Sequence, residues 1–188
     1  MIVLHDEALA RRLKRLRHQG MSLSDFDRHG ASPTTFETYP EIGYNFRITD
    51  IQAAVGTAQL DRLDGMLERR RRVADLYNEA LADDPLVEPP FVPSHLQPNW
   101  QSYQVRMRPD APISRNGLME ALHEAGIATR RGVMASHLEA PYAGEGVSLP
   151  VTEAVAASTL QLPMHSGLTE EDAARVVDAL STIAGRSA

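Results

Sequence analysis

From Thr49 to about Leu81 the apolar residues recur at helical spacing. Ile51, Val55 and Ala58 begin the stripe, Leu63, Met66 and Leu67 continue it, and Val73, Leu76, Tyr77, Ala80 and Leu81 end it. Apolar positions three and four residues apart fall on one face of a helix. The run therefore predicts a helix of unusual length, with a kink or break where the stripe slips near Gly65. Thr49 stands at its N-cap and Gln52 follows three residues later, the pattern of a capping box. Ala53, Ala54, Gly56, Thr57 and Ala58 are small enough to let another helix approach closely.

The remaining elements follow the same kind of patterning. Residues 1–4 form a short apolar run that predicts a strand, and Asp6 is placed to cap a helix with Leu9, Leu13 and Leu16 as its stripe. That helix is expected to run to about Gln19 and stop at Gly20. Residues 21–42 are polar, contain Gly30, Pro33 and Pro40, and predict a loop. After Asp83-Asp84-Pro85, the prolines at 89, 90, 93 and 98 predict a stiff connector over residues 82–98. Trp100 to Met107 alternates like a strand. Ser114 leads a helix through Leu118, Ala121, Leu122 and Ala125, which Gly126 closes. Residues 127–134 predict a second strand, 135–150 a loop, 152–158 a short helix and 159–163 a third strand. The last helix is capped by Thr169 with Asp172 at the third position, and Val176, Val177, Leu180 and Ile183 face inward. Strands separated by helices predict an α/β small domain.

Composition narrows the class. Hydrophobic residues make up 43% and charged residues 23% of 188, the balance of a globular protein with a sizeable core. No apolar run approaches a membrane span, and no signal-type block opens the chain, so a cytoplasmic protein without membrane contact is expected. Without cysteine there is no disulfide, thiolate metal site or thiol chemistry. A net charge of −6 argues against nucleic-acid binding. The basic run from Arg11 to Arg17 has no aromatic residues between its charges and predicts a solvated or domain-contacting face. The arginines at 69–72 likewise predict a solvated helix face. His18, Asp25, Asp27 and His29 fit no established ligand spacing, so no metal is expected. No serine sits in a G-x-S-x-G setting and no histidine has a nucleophile beside it, which removes the hydrolase readings.

Candidate chemistry concentrates ahead of the long helix. Gly43 opens a loop carrying Asn45 and Arg47, and the unpaired N–H groups of the helix behind it attract phosphate or carboxylate. An amide and a guanidinium upstream would add directed hydrogen bonds. Two readings stand at this level: an anion site, or an ordinary capped helix with a polar entry loop.

The stretch GYNFRITDIQAAVGTAQLDRLDGMLERRR resembles the segment that follows the cofactor lysine in the DegT/DnrJ/StrS family of sugar aminotransferases, which are pyridoxal-phosphate enzymes of fold type I. The resemblance continues in family order through Asn99–Tyr103, through Gly126–Arg131 with Ser136–Tyr142, and through Leu162–Thr169. It implies an α/β fold: the small C-terminal domain of a fold type I aminotransferase with the last part of its large domain. Residues 1–60 would be the large-domain remainder, 61–84 a long linking helix and 85–188 the small domain. The activity implied is transfer of an amino group from an amino-acid donor, usually glutamate or glutamine, to a keto-sugar carried on a nucleotide. Asn45 is carried over as a contact to the cofactor phosphate of a neighbouring subunit, with Arg47 beside it, the alternative for Arg47 being a helix-entry salt bridge. His137 would face substrate or lie on the surface. Arg130 and Arg131 would meet a nucleotide diphosphate. Tyr103 joins this group as a pocket-wall or core aromatic, with Trp100, and His165 is expected to pack or cap.

One count bears on that activity. Of 19 cationic residues only Lys14 is lysine, and it lies in the basic helix. A pyridoxal-phosphate enzyme needs an amine for its Schiff base, which arginine cannot provide. In the family that lysine lies shortly before a strand resembling Met1–Leu4. The chain is thus expected to begin after it, to contain no catalytic residue, and to be inactive alone. Its partner would be a second copy or a complementing N-terminal half. A rival expectation is a non-catalytic module that binds a partner through the loop and helix. Residues 1–60 would lack their usual apolar cover and self-associate or disorder locally, with 85–185 the better-ordered core.

Overall fold

The computed structural model describes residues 2–22, 36–142, 144 and 146–187, and the chain divides into two compact units, residues 1–61 and 62–188. Asp25, Asp27, His29 and most of the loop expected at 21–42 lie outside the described residues.

Among the described residues, the first unit has two helices. In α1, Glu7–Leu16, the Asp6 side chain accepts from the Leu9 amide at 2.9 Å, as the sequence predicts. The helix ends earlier than expected. Gln19 and Gly20 both take positive φ, 58° and 76°, which turns the chain out of the helix. Residues 2–4 are not a strand: no described segment pairs with them, and Ile2 and Val3 are exposed. A strand is made by its neighbour, so an apolar run without one stays irregular. Helix α2, Asp50–Leu60, opens with the predicted capping box. The Gln52 amide donates to Thr49 Oγ1 at 3.3 Å, and the Thr49 amide donates to Gln52 Oε1 at 3.0 Å.

The predicted long helix is two helices. The break falls at Asp61–Arg62 rather than near Gly65, and α3 runs Leu63–Ala80 within the second unit. Gly65 is accommodated inside the first turn, where a glycine costs little.

The second unit holds the core. Strands β1 (Val87–Glu88), β2 (Tyr103–Met107), β3 (Arg130–Arg131) and β4 (Thr159–Leu162) form one antiparallel sheet in the order β1-β2-β4-β3. Tyr103, Val105 and Met107 alternate inward on β2 and meet Leu160 and Leu162 of β4 in the core. Val73, Ala74 and Tyr77 of α3, Leu118 and Leu122 of α4 (Arg115–Glu124), and Ala173, Val176, Leu180 and Ile183 of α6 (Glu170–Ser187) complete it. Helix α5, Pro150–Ser158, leads into β4.

Several boundaries differ from expectation. Strand β1 was hidden in the proline-rich connector. It is started by Asp84, whose Oδ1 accepts from the Leu86 and Val87 amides at 2.9 and 3.0 Å. Strand β2 begins three residues late, because Trp100 takes a positive φ of 49° and turns the chain into it. Strand β3 keeps two residues of the expected 127–134. Its continuation at Gly132 crosses so close to β4 that a Cβ there would stand 2.0 Å from Thr159 Oγ1. The caps are where the sequence puts them. The Gly117 amide donates to Ser114 Oγ, and Thr169 and Asp172 bond reciprocally at the start of α6.

Candidate functional site

The loop carrying Asn45 is built against the end of α1. Gly20 and Gly43 cross at backbone distance: a Cβ on Gly43 would stand 1.9 Å from the Gly20 nitrogen, and one on Gly20 would stand 2.0 Å from the Glu41 carbonyl oxygen. Only residues without side chains fit there. Beyond the crossing, the Tyr44 amide donates to Leu16 O at 2.6 Å, the Gln19 amide to Tyr44 O at 2.9 Å and the Phe46 amide to Arg17 O at 3.0 Å. Asn45 sits between these rungs, bridged through its backbone to His18.

In this extended stretch, side chains alternate between two faces. Tyr44 and Phe46 stack with ring centres 5.0 Å apart and planes 7° from parallel. Asn45 and Arg47 share the other face, where Arg47 Nε donates to Asn45 Oδ1 at 3.3 Å. That bond turns the amide NH2 away from the guanidinium, so one polar edge of donors precedes the capped start of α2. Such an edge is suited to an oxyanion. Glu41, just before the crossing, accepts from Arg12 Nε at 3.0 Å and Arg15 Nε at 2.7 Å, and also from the terminal nitrogen of Arg15. The sequence reading missed this ion pair; the signal for it was an acidic residue shortly before the loop and a basic helix with no assigned partner. Two guanidiniums, Arg15 first, hold the Glu41 carboxyl below its ordinary range.

The second unit has a cavity of about 260 Å³ whose lining includes Arg131, Arg115, Glu139 and Glu153; of the other candidates, Arg131 alone lines it. Arg130 and Arg131 are exposed on β3, and Arg131 lies 3.9 Å from Glu139. His137, in the 3-10 turn Ser136–Leu138, is directed at α5: its Nε2 is 2.9 Å from Glu153 Oε1. The same oxygen accepts from the Leu149 amide at 3.0 Å. An ionised carboxylate only accepts, so His137 Nε2 carries the proton of this bond. Glu153 is a second residue that sequence reading missed. Its carboxyl is held below the ordinary value of 4.5, first by His137 and then by the Leu149 amide. A carboxylate lowered by folding loses its contribution as the pH falls through its folded value. Acidification below 4.5 should therefore release the His137 ring and the Leu149 amide together. A pH titration followed by NMR should read one shared step, and Glu153→Gln should abolish it.

Tyr103 is fully buried in the core. Its hydroxyl donates to Asn78 Oδ1 at 2.7 Å, and burial pushes its phenol above the usual range. Trp100 packs on its ring at 5.4 Å. His165 is exposed, and its carbonyl accepts from the Leu168 amide ahead of α6.

A loop on a capped helix and a four-stranded antiparallel sheet in one chain is a partial architecture, and a family model accounts for it. The model described as the DegT/DnrJ/EryC1/StrS aminotransferase family matches residues 1–181. The chain belongs to that family. Among solved structures, S. venezuelae DesV is 31% identical with a TM-score of 0.80, covering 95% of this chain and 45% of its own. The sugar aminotransferase CalS13 from Micromonospora echinospora is 29% identical with a TM-score of 0.82, covering 96% of this chain and 46% of its own. Spr1654 from Streptococcus pneumoniae, 22% identical over 98% of this chain and 47% of its own, shares the fold at a TM-score of 0.84; it has been solved in PMP and PLP forms. This family member thus spans under half the length of the solved relatives it matches. Its mixed α/β architecture is part of the fold type I aminotransferase. No helix among the described residues is long and apolar enough to cross a membrane.

Proposed function

We propose that this chain is the C-terminal portion of a pyridoxal-phosphate-dependent aminotransferase acting on a nucleotide-linked keto-sugar, with an amino acid as amino donor. The observation that carries the proposal is the donor edge of Asn45 and Arg47, fixed by the Gly20–Gly43 crossing ahead of α2. Its chemistry fits a phosphate: an amide supplies a hydrogen bond without titrating, and a guanidinium remains charged. The fit stops at the amine. Lys14 stands exposed on α1, on a helix face rather than in a pocket that would tune it. Bound pyridoxal phosphate supplies the electron sink of transamination. This chain's own residues bind and orient. Asn45 and Arg47 hold a cofactor phosphate across a subunit boundary. Arg130 and Arg131, exposed beside the cavity, meet the nucleotide diphosphate. Glu153 sets which nitrogen of His137 carries a proton at the substrate-side loop, while Tyr103, buried with its hydroxyl on Asn78, serves the core.

The chain alone should neither hold the cofactor covalently nor turn over. Co-expression with an N-terminal half that carries the family's lysine segment should restore both the visible absorbance of bound pyridoxal phosphate and amino transfer from glutamate to a nucleotide keto-sugar. Turnover that survives loss of both Asn45 and Arg47 at unchanged cofactor affinity would remove the proposal.

A second reading, a non-catalytic module that pairs with another copy or another protein, draws on α2. Every residue of that helix is exposed, including Ile51, Val55 and Leu60. Catalysis by the complemented pair would sink it.

A further inference from the structure

The basic helix α1 has more order than a solvated face requires. Arg12 and Arg15 lie one turn apart, and both converge on one carboxylate. The carboxylate is the least exposed of the three, with 19% of the Glu41 side chain accessible against 61% for Arg12 and 38% for Arg15. Its two oxygens are divided between the guanidiniums: Oε2 takes Arg12, and Oε1 takes two nitrogens of Arg15. A pair of arginines fixed this way differs from a mobile surface ion pair, because the planar forks set direction as well as distance.

Glu41 also stands at the glycine crossing. Its carbonyl oxygen and the Gly43 nitrogen both lie against the Cβ position of Gly20, at 2.0 and 3.2 Å. The backbone rungs at Tyr44 and Phe46 follow at once, and Asn45 lies between them. The segment 41–46 is therefore held at two points, a side-chain clamp at Glu41 and a backbone ladder at 44–46.

We infer that Glu41 is a positioning residue. Acting through Arg12 and Arg15, it sets the placement of the Asn45–Arg47 edge toward a phosphate group. The inference rests on the reading of that edge as a cofactor-phosphate contact. The depressed carboxyl of Glu41 agrees with it, since the clamp stays charged at neutral pH.

Two measurements test it. The first is amide hydrogen exchange in the full chain. Glu41→Gln should speed exchange at Tyr44 and Phe46 about tenfold while leaving the amides of β2 and β4 unchanged. The charge-swapped pair Glu41→Arg with Arg15→Glu should recover part of the protection. Unchanged exchange in Glu41→Gln overturns the inference. The second is pyridoxal-phosphate affinity of the chain complemented with its lysine-bearing half, in a double-mutant cycle. Glu41→Gln and Asn45→Ala should each weaken affinity about tenfold, and the double variant should be no more than about twofold worse than the weaker single. Additive losses overturn the inference, because Glu41 would then act by some route other than Asn45. If Asn45→Ala alone leaves affinity unchanged, the phosphate reading itself is wrong, and the inference falls with it whatever the exchange data show.

Discussion

Alanine at Gly43 should open the loop. The added Cβ would stand 1.9 Å from the Gly20 nitrogen, 2.4 Å from the Gln19 carbonyl carbon and 2.7 Å from the Gly20 Cα. All three are backbone atoms, so no rotamer change relieves the contact, and the two segments must part. Parting them breaks the rungs from Tyr44, Gln19 and Phe46, each worth about 1 kcal/mol. A combined local loss of about 3 kcal/mol should raise exchange at the Tyr44 and Phe46 amides by about 100-fold. In the complemented enzyme, cofactor affinity should fall with it. Gly20→Ala should do as much, since Gly20 combines φ +76° with a 2.0 Å approach to Glu41 O. Gly56 is the control. Nothing lies within 4 Å of its Cβ position, so alanine there should stabilise α2 by about 0.5–1 kcal/mol through helix propensity. Protected amides at 44 and 46 in Gly43→Ala would show that the crossing does not hold the loop.

The crossing marks a limit on what the sequence could reveal. Local chemistry was legible: Asp6, Thr49 with Gln52, Ser114, and Thr169 with Asp172 all cap the helices that their positions predict. Each of these motifs closes within three residues. Pairings between distant residues were not legible. Nothing in the string sets Gly20 against Gly43, Arg15 against Glu41, or His137 against Glu153. Strand β1 was hidden because two residues carry no periodicity, and its existence depends on β2 lying beside it. The same dependence, in reverse, dissolved the strand expected at 1–4. The helix break moved because a slipping stripe dates a break only roughly, and α3 carries Val73, Ala74 and Tyr77 into the core. Asn45 and Arg47 are brought together, while His137 and Tyr103 make their bonds inside the second unit.

Residues 62–188 expressed alone should fold cooperatively, and residues 1–61 should keep only the local order of the Gly20–Gly43 crossing. Among the described residues, every member of the buried hydrophobic core lies between Val73 and Ile183. Helices α1 and α2 bury no residue at all, while Ile42, Phe46, Ile51 and Val55 are exposed. A unit whose described residues bury no apolar side chain has little there to set against the entropy of ordering its chain. The C-terminal piece should therefore melt cooperatively. Leu160→Ala, in the central strand and fully buried, should lower its stability by about 2–5 kcal/mol. The N-terminal piece should melt without a transition and bind a hydrophobic dye. A cooperative melt of 1–61 would mean that the Gly20–Gly43 crossing and the Glu41 clamp suffice for a fold. That would make α1 and its loop an independent module.

The stacking of Trp100 on Tyr103 decides what light can report about this molecule. Trp100 is the sole tryptophan, and it is packed against the core of the second unit. Intrinsic emission excited at the indole therefore reports on the core of that unit, with Tyr103 and Tyr77 near enough to feed it energy. A denaturation curve read this way follows the unfolding of that core. Seeing the loop requires a reporter placed in the first unit, and the stacked ring of Phe46, replaced by tryptophan, is where its colour would change as the loop opens.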